Sequence, residues 1–346
     1  MPNKLDDLVL LRTIDKSSMA DYIAELPQQL ETGLKIASQK KLPVAYLKLS
    51  KAVLMGMGGS ATAADLLLAQ PLENFKKPLL LLRENEIPGW VDTKTLVVLI
   101  SHSGQTKETL SAFKQAASRE AKIIVISERG SLEELGSLEN AQVYDYDTQA
   151  APRASLGFQL GILVGIFNQL DFFPKIDLSA ASELLKNINQ ELQPASLTEK
   201  NLAKHLAFKL FDHEPVMLAG GILSAVGRRF KNQLNENAKT YGACETMPEA
   251  MHNSLEGLSF PTRGHDDNFY VLLRSVFDNQ YVLAGLEHWM QVLDEEKIEY
   301  ELLEGQGNDL WSQNLSLVAL ADWASFYLAI LNNLDPTPVP RIEKFK

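Results

Sequence analysis

The 346-residue sequence holds one cysteine, Cys244, so it can close no intrachain disulfide and build no cysteine-rich zinc site. Its six histidines show no H-E-x-x-H or comparable ligand spacing, and a catalytic metal is not expected. Basic residues are in deficit, 33 Lys and Arg against 44 Asp and Glu, for a formal charge of -11. Such a chain repels a phosphate backbone at long range, which argues against a nucleic-acid partner. At the N-terminus the apolar stretch 8–11 is cut short by Arg12, so no signal peptide is expected. The long apolar run at 315–331 (LSLVALADWASFYLAIL) sits at the short limit for crossing a bilayer and carries Asp322 in its middle. It is expected to be a buried core helix in a cytoplasmic protein with no membrane partner.

What is present suits two globular domains: 45% hydrophobic and 22% charged residues over a length too great for one small core. In the first half, short apolar runs at 52–55, 78–82, 96–100 and 122–126 are each followed by turn residues and helix-like stretches such as 61–68 and 106–117. Runs without alternation predict strands buried on both faces, hence a parallel sheet wrapped by helices. Ahead of them, residues 14–37 read as one amphipathic leader helix, capped by Ser18 and kinked at Pro27.

The stretch FFPKID at 172–177 breaks the helix that begins near Leu156, which places a domain boundary between 1–172 and 173–346. Beyond it, helical patterns run from 178 to 212, strands are expected at 215–218 and 269–273, and a helix at 280–293. With an offset of 164, Gly56, Ser60 and Ala61 fall on Gly220, Ser224 and Ala225, each set closing a strand and opening a helix. The expected fold class is α/β, two tandem domains, each a mostly parallel sheet flanked by helices.

Two loops are suited to an anion. GMGGSA at 56–61 joins a strand to a helix, so free amides and the positive helix end face an incoming charge, and Ser60 adds a hydroxyl. The string also fits G-x-G-x-x-A, so alone it reads equally as a dinucleotide turn. A dinucleotide fold would carry an acid about 20 residues later, where this chain has Arg83 and Glu84. SHSGQT at 101–106 then places Ser101, Ser103 and Thr106 at one helix N-terminus. Three hydroxyls exceed what one helix start needs, and they form a cup for a single phosphate.

Titratable groups gather between 220 and 257. A helix is expected over 223–239 with Val226, Phe230 and Leu234 facing the core, and Glu236 falls near its C-terminal end, where the dipole disfavours a carboxylate. His252 follows sixteen residues later, beyond breaks at Gly242 and Pro248. Arg153, in PRASLG at 152–157, stands at a strand-to-helix turn, where a guanidinium can hold an oxyanion or pair with a surface acid.

Taken in order, IDKSSMADYIAELPQQL, MGMGGSA, SHSGQTKET, PRASLG, NQLNENAK, PEAMHN and DPTPVP resemble the bifunctional phosphoglucose/phosphomannose isomerases. That resemblance implies tandem sugar isomerase (SIS) domains of flavodoxin-like form and an aldose–ketose isomerase that uses no cofactor. It implies that Gly58, Gly59, Ser60, Ser101, Ser103 and Thr106 bind the sugar phosphate. It further implies Glu236 as the base, Arg153 as the enediolate stabiliser, and Lys346 at ring opening. His252 would assist ring opening from a partner subunit, in a homodimer. His102 stands where the family commonly has Tyr. Alternatives are a noncatalytic sugar-phosphate sensor, an isomerase of another phosphosugar, and an NAD(P)-dependent enzyme built on GMGGSA.

Overall fold

The structure is a computed structural model and describes residues 4–128, 130–138 and 141–344. Contacts divide it into two compact units. One is Glu25–Asp177; the other joins the segment before Glu25 to the chain from Leu178 onward. The expected boundary after residue 172 falls within a few residues of this division, and the described residues before Glu25 group with the later part of the chain. The cause is polar as well as apolar. Lys4 Nζ donates to the Leu331 carbonyl at 3.0 Å. Asp6 Oδ1 accepts from Thr198 N at 2.9 Å and from the Lys204 ammonium at 3.0 Å.

The single leader helix is instead three, Leu8–Ile14, Met19–Ala24 and Leu26–Ser38. Ser18 adopts φ 55° and does not cap. Asp15 does, accepting from Met19 N at 2.8 Å and Ala20 N at 3.0 Å. Pro27 lies in the first turn of Leu26–Ser38, where its missing N–H costs nothing, so it starts a helix rather than bending one.

In Glu25–Asp177, strands β1 (Lys51–Gly56), β2 (Leu79–Leu82), β3 (Thr95–Ser101), β4 (Lys122–Ser127) and β5 (Gln142–Asp145) form a fully parallel sheet of order β2-β1-β3-β4-β5. β3 is buried at every position, as its unbroken TLVVLIS run requires. In the other unit, β6 (Glu214–Gly220), β7 (Ala243–Met247), β8 (Asn268–Arg274) and β9 (Tyr300–Glu304) run parallel in the order β7-β6-β8-β9. Both sheets wind the same way. The chain leaves the first strand for one edge and then returns to its other side, so the direction switches between β1 and β3 and again between β6 and β8. Ligands of open α/β sheets bind outside the carboxyl ends of the strands at that switch.

The apolar run is a core helix, Leu310–Leu331, with 94% of its most apolar window buried. Asp322 in its middle is paired rather than exposed to lipid. Arg229 Nε and Nη2 donate to its two oxygens at 3.0 and 2.6 Å, and Gln233 Nε2 adds a bond of 2.8 Å. A carboxylate buried this deeply persists only when paired and hydrogen-bonded in this way.

Candidate active site

The glycine loop leaves β1 at Gly56 and enters the helix Gly59–Leu68 through Gly58, whose φ of 50° favours glycine. Gly59 allows a close approach: a Cβ there would stand 3.0 Å from the Arg153 Cα. The missing side chain thus lets the buried Arg153 turn press against the loop.

That turn is held from behind. Gln29 donates to the Ala154 carbonyl at 2.9 Å and accepts from Gly157 N at 3.2 Å. Helix Leu156–Phe167 lies so close to helix Leu26–Ser38 that a Cβ on Gly161 would sit 2.4 Å from the Leu30 carbonyl oxygen. Arg153 itself is 3% exposed.

The second loop leaves β3 and enters the helix Lys107–Ser118. Ser101 Oγ lies 2.9 Å from Thr106 Oγ1, and His102 N donates to Ser60 Oγ at 3.2 Å, so the two loops are tied together. Thr106 turns its hydroxyl to Ser101 and does not cap the helix, and Gly58 has no side chain with which to cap the other. Two helix N-termini therefore meet at the switch point without side-chain caps, an arrangement that favours an anion. Ser101 and Ser60 are buried. Ser103 is exposed, with its hydroxyl accepting from Gln105 N at 3.3 Å. A cavity of about 510 Å³ opens beside both loops, lined by Met57, Arg83, Lys107 and Ser111 among others.

The end of β2 bears on the dinucleotide alternative. Where such folds place a ribose-binding acid, this chain has Arg83, and it is ion-paired with Asp65 of the helix behind it.

Three groups here escaped sequence reasoning. Gln159 Nε2 donates to the Tyr146 hydroxyl at 2.8 Å, and that hydroxyl lies 3.1 Å from His102 Nδ1. Burial holds the Tyr146 hydroxyl far above its ordinary value, so it remains a donor. Gln29 is the third. All lie outside any recognisable loop motif; only the apolar helix around Gln159 hinted that a polar residue there needed a partner.

The remaining expected site residues belong to the other unit. The helix expected over 223–239 is α-helical only over Ser224–Gln233, and its last turn, Leu234–Ala238, is a π-helix. π turns recur at functional sites. This one is pinned on both sides of Glu236. Asn235 Oδ1 accepts from Gly242 N at 3.0 Å, Asn237 Nδ2 donates to Ser325 Oγ at 3.0 Å, and Asn332 Nδ2 donates to the Ala238 carbonyl at 3.1 Å. Glu236 is half-buried between these anchors. His252 is exposed at the end of the short turn Glu249–His252. Lys346 lies outside the described residues.

The chain matches two family models: a SIS domain over residues 46–159 and a bacterial phospho-glucose isomerase C-terminal SIS domain over residues 199–346. It is 30% identical to the bifunctional phosphoglucose/phosphomannose isomerase of Caldicellulosiruptor bescii across 95% of this chain and 98% of the relative. It is 31% identical to the protein of that name from Aquifex aeolicus, across 85% and 88% respectively. Among solved structures, a glucose-6-phosphate isomerase like protein from Thermus thermophilus superposes with a TM-score of 0.67 at 18% identity, covering 98% of this chain and 99% of that one. At that identity the superposition speaks for the fold alone.

Proposed function

The chain belongs to the family of bifunctional phosphoglucose/phosphomannose isomerases, and from that premise we propose that it interconverts glucose 6-phosphate and mannose 6-phosphate with fructose 6-phosphate. As a phosphosugar isomerase it takes a small sugar phosphate as substrate. The observation that carries the finer reading is the pair of helix N-termini without side-chain caps at the β1/β3 switch point, tied by Ser60, Ser101 and Thr106. In this reading the amides of Gly58 and Gly59 and the hydroxyls of Ser60, Ser101, Ser103 and Thr106 grip the phosphate. Binding energy from that remote group then positions the carbon skeleton.

Glu236 removes the proton from carbon 2 of the open-chain aldose, and the electron pair moves to the carbonyl oxygen on carbon 1. Arg153 stabilises the resulting cis-enediolate. The proton returns to carbon 1 while another passes from the oxygen on carbon 2 to that on carbon 1. If the planar intermediate rotates, both carbon-2 epimers share the site. His252 assists ring opening from a partner subunit; its exposure on the single chain supports that assignment. Lys346 is assigned to ring opening by resemblance alone. A cytoplasmic location completes the proposal, supported by the packing of Leu310–Leu331 into protein.

The test is turnover of fructose 6-phosphate by the purified protein, read as glucose 6-phosphate formed. Absence of turnover would sink the proposal. E236Q and H252A chains, each inactive alone, are expected to regain part of the activity after subunit exchange; no recovery would remove the cross-subunit role of His252.

A further inference from the structure

The switch point of the second sheet repeats the first in outline. Gly221 follows β6 with a φ of 49°, against 50° at Gly58, and a 3-10 turn leads directly into the helix Ser224–Gln233. In the first sheet Gly56 is level with Ile100, and Ser101 comes next. In the second, Leu218 is level with Leu272, so Gly220 is level with Arg274 and Ser275 comes next. Ser275 thus occupies the place of Ser101.

The seat itself differs. Asn279 Oδ1 caps the helix Gln280–Glu296, accepting from Val282 N at 3.0 Å. The Ser275 hydroxyl is turned away, donating to Gln313 Oε1. Into the space faces Asp278, 7% exposed, with Oδ2 accepting from Ser275 N at 2.8 Å. Its Oδ1 is buried with no hydrogen-bond partner among the described residues, 3.2 Å from where a Cβ on Gly221 would stand. A carboxylate oxygen is thus aimed into the glycine turn at the start of one helix, while the carboxylate's other oxygen binds an amide just before the next.

We propose that the second switch point is a closed phosphate-monoester site, in which the Asp278 carboxylate occupies the place that a ligand phosphate takes in the first. The proposal rests on the phosphate grip assigned above only for the comparison; the second seat is tested by itself. It assigns Asp278 as the residue that limits each chain to one phosphate. It also gives a place to a buried carboxylate that accepts from one amide, Ser275 N, and whose Oδ1 stands against the glycine turn.

The experiment counts phosphate ions bound per folded chain by titration calorimetry with inorganic phosphate, on the full-length protein. Wild type is expected to bind one, and D278S and D278G two, with circular dichroism confirming the fold of whichever variant is scored. In an S101A/T106V background the counts are expected to fall to zero for the parent and one for the Asp278 variants. Two phosphates bound by wild type would overturn the proposal, as would no gain in a folded D278S or D278G protein. Loss of binding only at Ser101 and Thr106 concerns the first site, so failure of the phosphate grip and failure of this inference give different counts.

Discussion

The two sheets share one winding and finish it in opposite ways. At the carboxyl ends of β1 and β3, Thr106 declines to cap its helix and Gly58 cannot cap the other, which leaves amides facing outward. At the ends of β6 and β8, Asn279 caps, Ser275 is engaged by Gln313, and Asp278 fills the turn. The first end is organised to receive charge, and the second supplies its own. What the second unit offers instead is Glu236, held on a π turn between anchored asparagines. Two sheets of one winding therefore need not carry the same chemistry at their strand ends; a few side chains there decide which helix starts are capped.

The largest expected effect would break this division of labour. E236Q should lower kcat by roughly 10²- to 10⁴-fold while leaving KM for fructose 6-phosphate near its wild-type value. Steady-state kinetics that put the loss in KM would assign Glu236 to binding and erase the contrast.

A smaller loss should follow S101A. Removing one hydrogen bond to a charged phosphate costs about 1.5–3 kcal/mol, or roughly 10- to 100-fold in kcat/KM. The companion change S275A should leave kcat/KM unaltered. Equal losses from the two serines would mean that both ends bind substrate.

The smallest effect sharpens the comparison through pH. Burial pushes the Asp278 carboxyl up from its ordinary 3.8 to about 6. Between those values the folded protein holds more protons than the unfolded chain, so stability falls as pH rises through the window, by about 3 kcal/mol. Urea midpoints measured across it for wild type and D278N check this. D278N should lose that part of the slope, and identical slopes would show that the carboxylate is well solvated.

Much of this architecture is legible in the residues. β1, β3, β4, β6 and β8 are interior strands, and burial on both faces writes them as unbroken apolar runs. β2 is an edge too, but its four leucines make an apolar run; β5, β7 and β9 are edges without one. Their half-buried patterns leave room for Gln142, Glu245 and Glu301, so no such run forms. The loops at 56–61 and 101–106 are legible as strand-to-helix turns, because glycines and hydroxyls cluster where a buried strand ends and a helix starts. Gln29, Tyr146 and Gln159 were not, since a polar side chain acting across the fold leaves no local spacing to read. The π turn was hidden for a related reason: it follows from anchors at Gly242, Ser325 and Asn332, the last two nearly ninety residues or more away. At Ser18 and Pro27 the expected cap and kink give way because Asp15 caps and Pro27 suits a first helical turn.

The packing of the opening segment against Leu310–Leu331 sets an order of events during synthesis. Residues 25–177 contain their whole sheet and can condense while the nascent chain is still growing, since domains generally fold as units as they emerge. Lys4 and Asp6 cannot meet Leu331 and Lys204 until the ribosome has delivered those residues. Until then the opening segment lacks these partners, and the most apolar stretch of the protein emerges late, after most of the residues that pack against it.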